Sequence, residues 1–264
     1  VVLTQTALGV ARYVKEGGRP AKVVVAHDTR RDSSSFAHLV SRVLASQGLQ
    51  VRLLDAPRAT PQLGFEVRNW GAGAGIVISA SHNPPGDNGI KIYGDDGAQV
   101  LGENDRRLME AIQAVPNSDL ASLQLEGPLP GPAELDALQG ERLAQRDAAY
   151  QAYVDAQGSP GTKLDAGGLQ IVYTPLHGVG HHVFLPLLAA RGAHVHPVQA
   201  QLDPDGGRFS TVKSANPESP DAFALGRELA DEKGAQLVIA HDPDADRLGA
   251  LARDRQGTLQ FIDG

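Results

Sequence analysis

The sequence contains no cysteine, which excludes a disulfide framework, and we therefore expect a cytoplasmic protein. It also lacks a run of roughly 20 apolar residues, the length that a membrane-spanning helix needs. The N-terminus has neither the basic start nor the apolar stretch of a signal peptide. Basic clusters are missing as well, and the formal net charge is −7. We therefore predict a soluble protein whose main partner is neither nucleic acid nor a membrane.

The composition is that of a globular protein, with 41% apolar and 21% charged residues, and 264 residues suffice for two domains. Hydrophobic periodicity predicts alternating helices and strands. In the first half we predict helices at 3–16, 33–46, 59–70 and 104–114 and strands at 23–25, 51–54 and 76–78. In the second half we predict strands at 169–173, 195–198 and 237–240 and helices at 181–190 and 219–234. Thr60 and Ser219 are expected to cap their helices.

The second half repeats the order of elements in the first half. This repetition predicts an α/β fold of two tandem, similar three-layer domains with mostly parallel sheets and an active-site cleft between them. A proline-rich stretch at 115–133 is expected to be irregular, and 133–156 is predicted to be mostly a helix-favouring connector. We place the domains at 1–143 and 144–264.

The stretch 75–93, with the sequence GIVISASHNPPGDNGIKIY, organises the chain. Its apolar start predicts a buried strand, and the two prolines at 84 and 85 prevent that strand from continuing. The chain must therefore turn where Ser81 and His82 are presented. In α/β sheets ligands bind at the carboxyl ends of strands, on loops that rigid elements hold. Ser81 is thus placed like a reacting group.

A second polar loop follows the strand at 237–240 and carries three acidic residues, Asp242, Asp244 and Asp246. Carboxylates at this spacing can surround one hard cation such as Mg²⁺, Mn²⁺ or Ca²⁺. An EF-hand is excluded, because arginines occupy the positions that its glycine and its final glutamate require. A solvated acidic turn is the alternative to a metal site. We expect this loop and the serine loop to face each other.

Ser81 needs activation, because a free serine hydroxyl is a poor nucleophile. A Ser–His–Asp hydrolase is disfavoured, since His82 adjoins Ser81 and no G-x-S-x-G elbow surrounds it. A capping serine is the structural alternative. Lys91 could hold a phosphate or transfer a proton, or could be an exposed strand lysine. Arg247 could bind a phosphate oxygen, or could pair with its neighbouring aspartates.

Several motifs together resemble the α-D-phosphohexomutase family, which includes phosphoglucomutase and phosphomannomutase. SASHNP at 79–84 is similar to the family's T-A-S-H-N-P serine loop, NGIK at 88–91 to its N-G-x-K motif, and DPDADR at 242–247 to its D-x-D-x-D-R metal loop. DTR at 28–30 resembles a further motif of the first domain. FSTVKSANPE at 209–218 and TPLHG at 174–178 are most similar to the branch that contains bacterial phosphoglucomutases and phosphopentomutases.

The resemblance implies that phosphorylated Ser81 donates its phosphoryl group to a sugar monophosphate through a bisphosphate intermediate. It implies one Mg²⁺ bound by Ser81 and the three aspartates, and an activator of the glucose 1,6-bisphosphate type. It further implies that Lys91 is a proton shuttle, His82 a supporting contact, and Arg30 and Arg247 ligands of substrate phosphate. No other cofactor is expected.

Family members have four domains, and the resemblance covers only the first two. The sugar-reading loop of the third domain and the phosphate-binding loop of the fourth are not in this sequence, which begins at Val1. We therefore expect a fragment of a longer enzyme. Two other functions stay open at this point: a metal-dependent sugar-phosphate phosphatase, and a non-catalytic module that binds phosphorylated sugars.

Overall fold

The computed structural model describes residues 1–123, 134–158 and 168–262. The chain divides into two compact units. The first unit comprises Val1–His27, Asp32–Ser79 and Gly89–Leu143, and the second comprises Asp28–Arg31, Ala80–Asn88 and Ala144–Gly264. Two loops from the first half of the chain, 28–31 and 80–88, therefore belong to the second unit. That the segments 1–143 and 144–264 are separate domains stays a prediction.

The first unit is built on a five-stranded sheet with the order β4-β3-β1-β2-β5. Its strands are β1 Lys22–His27, β2 Gln50–Leu54, β3 Ala74–Ile78, β4 Ile90–Tyr93 and β5 Leu135–Leu138. Only β4 runs antiparallel to its neighbour. The helical prediction for 133–156 is wrong at β5, because these four residues have no strand periodicity of their own. They become a strand only by pairing with β2, where Val51 lies opposite Leu135.

Helices cover both faces of this sheet. They are α1 Val2–Glu16, α2 Ser33–Ser46, α3 Thr60–Trp70, α4 Gly102–Gln113 and α5 Asn117–Ser122, and α6 Gly140–Gln157 begins in this unit and continues into the second. Val23 and Val25 of β1 pack with α1, α2 and α4, whereas Val24 and Ala26 pack with α3 on the opposite face. Burying each of these valines stabilises the fold by roughly 1.5–3 kcal/mol. The three-layer prediction is therefore confirmed.

Two local predictions in this unit are wrong. The sequence predicts an irregular stretch at 115–133, but α5 lies within it, and 124–133 are outside the described residues. Thr60 does not cap α3: it is the first helical residue, and Ala59 precedes it without a side-chain cap. Pro61 occupies the first turn, where it removes one of the unpaired amide donors that a capping side chain would satisfy.

The second unit also contains a five-stranded sheet, with the order β10-β9-β8-β6-β7. Its strands are β6 Gln170–Thr174, β7 His194–Pro197, β8 Leu237–His241, β9 Leu248–Arg253 and β10 Leu259–Ile262, and its helices are α7 His181–Ala190 and α8 Ala224–Lys233. A 3₁₀ turn at Pro220–Phe223 precedes α8, and the predicted cap at Ser219 is wrong, since its side chain makes no capping bond. Gly234 ends α8 at φ 62°, as predicted from its position.

The two sheets confirm the predicted repetition. Strands β4-β3-β1-β2 have the same order and the same relative directions as β9-β8-β6-β7. The serine loop follows β3, and the acidic loop follows the equivalent strand β8. Each unit adds one further strand, β5 beside β2 in the first and β10 beside β9 in the second. Both sheets are mixed.

Both functional loops leave the sheets at a topological switch point. In the first sheet β1 and β3 are neighbours, while α2 and α3 pack on opposite faces. In the second sheet β6 and β8 are neighbours, and α7 and α8 pack on opposite faces. Chains diverge at such points and leave a crevice beyond the strand ends, where α/β proteins bind ligands.

Among the residues that the structure describes, no helix combines the length and the hydropathy that a membrane span requires.

Strand β8 ends at His241, whose ring is enclosed by aromatic side chains. Its Nδ1 lies 3.0 Å from the hydroxyl of Tyr173, and its ring meets that of Phe184 at 89° with 4.9 Å between centroids. Desolvation lowers the pKa of His241 to about 4 and raises the pKa of Tyr173, so the hydroxyl stays protonated beside a neutral imidazole. The folded protein therefore disfavours the charged form of His241.

We predict that acidification destabilises the protein through His241. Between pH 6.5 and about 4 the unfolded chain binds a proton that the folded chain does not, so the free energy of unfolding falls as the pH falls through this window. The full effect is roughly 3 kcal/mol, and well above pH 6.5 this residue contributes no pH dependence. Thermal unfolding from pH 4 to 7 should show a shallower acid loss in His241→Gln than in wild type. Parallel pH profiles would contradict the prediction.

Candidate active site

The acidic loop wraps its backbone around the carboxylate of Asp242. The amides of Asp246 and Arg247 donate to Oδ1 of Asp242 at 3.1 and 3.0 Å. The turn closes through the amide of Ala245, which adopts φ 55° and donates to the carbonyl of Asp242 at 2.9 Å. These bonds make Asp242 the centre of the loop, and a carboxylate that accepts several amides is held in one orientation.

The loop that follows β6 packs against the acidic loop. Gly178 approaches Pro243 so closely that a Cβ at position 178 would lie 2.3 Å from the Cα of Pro243. The amide of Val179 donates to the carbonyl of Pro243 at 3.0 Å. Only glycine permits such an approach between two backbones. The loop after β6 therefore fixes the loop after β8, as expected for two loops at one switch point.

The three carboxylates of this loop lie together. Oxygen atoms of Asp242, Asp244 and Asp246 are within 4.8 Å of one another, and Asp242 and Asp244 are buried while Asp246 is exposed. Burial first, and then the charge of Asp244, raises the pKa of Asp242 to about 8. Carboxylates crowded in this way repel each other, and a hard divalent cation would remove the repulsion. The arrangement can therefore hold a metal ion.

Ser81 lies directly against this acidic group. Its Oγ donates to Oδ2 of Asp242 at 2.8 Å, and its backbone adopts φ 52°, a left-handed conformation that few residues other than glycine adopt. Nδ1 of His82 lies 3.4 Å from the same Oγ. Desolvation and then the charge of Arg247 lower the pKa of His82, which keeps its ring neutral at neutral pH. The serine and acid motifs, 161 residues apart in the chain, thus form one site.

Arg247, predicted to bind phosphate, extends from the end of the acidic loop into solvent. Its Nη1 lies 3.2 Å from Oε1 of Glu218, and both side chains are well exposed. The segment 209–218 resembles a family motif, but no signal in the sequence indicates Glu218 as a partner of Arg247. Glu218 is held by an Asx turn in which its amide donates to Oδ1 of Asn216 at 3.0 Å.

Arg30, also predicted to bind phosphate, is fully buried and faces protein groups. Its guanidinium donates to carbonyl oxygens of the serine loop, and its Nε lies 3.2 Å from Oδ2 of Asp28. It also lies over the ring of Phe209, at 5.3 Å from the centroid. The sequence contains no signal that pairs Phe209 with Arg30, because 179 residues separate them.

Lys91, predicted to shuttle a proton, belongs to the first unit. It lies on β4 opposite Val77, with an intermediate exposure. It lines a groove of about 340 Å³ that α1, β4 and α4 form with the turn between β4 and α4. Ser81, His82, Arg30, Arg247 and the three aspartates all belong to the second unit.

Two family profiles match consecutive parts of the chain, and the first of them includes the loops at 28–31 and 80–88. Residues 2–119 match the family profile described as phosphoglucomutase/phosphomannomutase, alpha/beta/alpha domain I, and residues 148–257 match that of domain II. The phosphoglucomutase of Staphylococcus haemolyticus (strain JCSC1435) is 36% identical over 271 residues, covering 99% of this chain and 46% of the relative. The phosphoglucomutase of Staphylococcus aureus (strain USA300) has the same identity and coverage.

Solved structures agree with these sequence matches. A protein of Thermus thermophilus assigned to the phosphomannomutases superimposes with a TM-score of 0.76 and 27% identity, over 98% of this chain and 54% of that protein. The chain spans about half the length of the curated relatives it matches. With both domain profiles matched in order, and with the serine and acid motifs joined in one site, the chain belongs to the α-D-phosphohexomutase family and contains its domains I and II.

Proposed function

We propose that the whole protein is a phosphoglucomutase or phosphomannomutase type of isomerase, which moves a phosphoryl group between the 1-position of a sugar and its 6-position, or the 5-position of a pentose. The observation that carries this proposal is the 2.8 Å hydrogen bond from the Oγ of Ser81 to Asp242 at the centre of three carboxylates. The matched relatives, named phosphoglucomutases, support it. We also propose that the protein is located in the cytoplasm.

Mg²⁺ is the cation that we assign to Asp242, Asp244, Asp246 and Ser81. The donor set fits Mg²⁺, because it consists only of hard oxygen atoms. The carboxylate oxygens lie within 4.8 Å of one another, and the hydroxyl of Ser81 is bonded to one of them. When bound, the ion neutralises a phosphorylated serine and polarises its phosphorus for transfer. The backbone amides at 246 and 247 keep Asp242 oriented toward Ser81.

The transfer itself exchanges one oxygen–phosphorus bond for another. The bond between Oγ of phosphorylated Ser81 and phosphorus breaks as a hydroxyl of the sugar monophosphate attacks; the hydroxyl proton passes to a base, and the leaving Oγ takes up a proton to restore the serine hydroxyl. The reverse step returns the other phosphoryl group of the bisphosphate to Ser81. We propose that Lys91 transfers the proton, because the motif at 88–91 resembles that of the family. We further propose that a bisphosphate such as glucose 1,6-bisphosphate first phosphorylates Ser81.

Two side chains near Ser81 complete the proposed site. Arg247 can turn to a phosphate oxygen, since its exposed pair with Glu218 is worth only about 0–1 kcal/mol. His82, kept neutral, can contact the phosphoserine without adding charge. A phosphatase or a non-catalytic phosphosugar module is not favoured by the relatives described above, which are named mutases.

We predict that the chain accepts a phosphoryl group on Ser81 but shows little net mutase turnover by itself, because its matched relatives are about twice as long. Incubation with glucose 1,6-bisphosphate and Mg²⁺ should add one phosphate to wild type and none to Ser81→Ala, measured by intact mass and phosphopeptide mapping. Ser35→Ala is the matched control, because Ser35 is an exposed serine on α2 outside the serine loop. Phosphate release without serine labelling would favour a phosphatase instead.

We predict that Mg²⁺ stabilises the protein through the acidic loop. Asp244→Asn removes one buried charge, so it should raise the melting temperature without metal and reduce the stabilisation that Mg²⁺ adds. At a Mg²⁺ concentration 100 times the dissociation constant, wild type should gain about 2.7 kcal/mol. Thermal melts with EDTA and with increasing Mg²⁺ measure both effects. The exposed Glu228→Gln on α8 is the charge-matched control, and an equal Mg²⁺ response in all three proteins would refute the assignment.

A further inference from the structure

The buried side chain of Arg30 bonds the serine loop at four positions. Arg30 Nη1 donates to the carbonyl oxygens of Pro84 and Asp87 at 2.7 and 3.0 Å. Its Nη2 donates to those of Ser81 and Asn83, both at 2.6 Å. A guanidinium has five N–H groups, four on these two nitrogens. All four point to loop carbonyls, and Nε faces Asp28 at 3.2 Å. The loop carbonyls therefore take the four terminal N–H groups, and the Nε N–H is enclosed against Asp28 in an ion-pair contact that is not a hydrogen bond.

Arg30 is itself fixed on both sides. The ring of Phe209 lies below its guanidinium at 5.3 Å, a distance at which a cation and an aromatic face attract each other. The backbone at Arg30 and Arg31 meets Gly207, where a Cβ would lie 2.3 Å from the amide nitrogen of Arg31. The hydroxyl of Thr29 donates to the carbonyl of His177 at 2.9 Å. The guanidinium is therefore presented to the serine loop in one orientation.

Ser81 needs such support because of its backbone. At φ 52° a serine is in the left-handed region, which its own preferences disfavour. The carbonyl of Ser81 accepts one of the Arg30 bonds, while its Oγ on the same residue donates to Asp242. Strained conformations persist at functional sites only where the surroundings determine them. Releasing the carbonyl would let the residue relax and move its hydroxyl away from the carboxylates.

We propose that Arg30 is a positioning residue that holds the Ser81 backbone in its left-handed conformation by binding four loop carbonyls, and that it is not a ligand of substrate phosphate. The inference deepens the proposed function and rests on it for its kinetic consequence. Lysine cannot replace Arg30 in this role, because an ammonium is a point donor with three N–H groups and cannot span four carbonyls. A phosphate ligand, by contrast, would keep much of its effect as lysine.

Hydrogen exchange tests the positioning role without any reaction. The amides of Asn83 and Asp87 donate within the loop to Ala80 and Pro84, both at 3.0 Å, so they report its opening. In Arg30→Lys the peptide covering 80–88 should exchange at least about tenfold faster than in wild type, the expected result of losing hydrogen bonds that hold the loop. Arg31→Lys, which changes an exposed neighbour, should leave the exchange of 80–88 unchanged. Equal exchange in all three proteins would overturn the proposal.

The peptide covering β8 controls for loss of the fold. If Arg30→Lys also loses protection in the β8 peptide, Phe209→Leu tests the positioning role instead. This substitution removes the ring that lies against Arg30 and keeps the charges of Arg30 and Asp28. That variant should speed exchange of 80–88 severalfold with β8 unchanged. If the variant that stays folded exchanges 80–88 at the same rate as wild type, the proposal is overturned.

Phosphorylation of Ser81 by glucose 1,6-bisphosphate tests the kinetic consequence. For the folded variant a positioning role predicts a maximal rate about tenfold or more below wild type, with the half-saturating concentration within about twofold. A rise in the half-saturating concentration with an unchanged maximal rate would instead assign Arg30 to substrate phosphate. If the wild-type protein itself takes up no phosphate, the proposed function is wrong. The hydrogen-exchange measurement still tests the positioning role of Arg30 in that case.

Discussion

The structure around Ser81 depends on the burial of two carboxylates that belong to the same turn. Asp242 and Asp244 are removed from solvent within one loop, where burial and the charge of Asp244 disfavour the ionised form of Asp242. Two backbone amides and the hydroxyl of Ser81 donate to Asp242 and partly offset that cost. A buried negative group of this kind is stable only with compensating positive charge or hydrogen bonds. The site is thus built to receive a cation and to hold a hydroxyl beside it.

A second buried charge lies on the other side of the serine loop. Arg30 is removed from solvent with Asp28, and desolvation lowers the pKa of Arg30 while the nearby carboxylates oppose that shift. A buried ion pair is weak evidence for stability, since desolvation offsets much of its attraction. Its effect here is geometric, because the guanidinium binds carbonyls at four positions of a loop that has no regular secondary structure. The loop therefore has one conformation without a ladder or a helix to impose it.

The sequence by itself determined the class of fold and the chemical parts of the site. Strand and helix periodicity, glycines at helix ends and the repeated order of elements were sufficient for the two similar α/β halves, because these signals are local. The serine motif at 79–84 and the acid motif at 242–247 carry their chemistry in adjacent residues. Local signals failed at β5 and α5, which have short, non-periodic sequences. The pairing of β5 with β2 supplies the hydrogen bonds that four residues cannot specify alone.

Only the tertiary structure decided how these parts act together. The bond from Ser81 to Asp242, the ring of Phe209 below Arg30 and the pair of Arg247 with Glu218 join residues that lie far apart in the chain. The sequence motif presented Arg30 as a candidate for phosphate, whereas its surroundings direct its donors to backbone carbonyls. A residue type defines which bonds a side chain is able to form. The packing of distant segments decides which of those bonds it does form, and no local pattern records that choice.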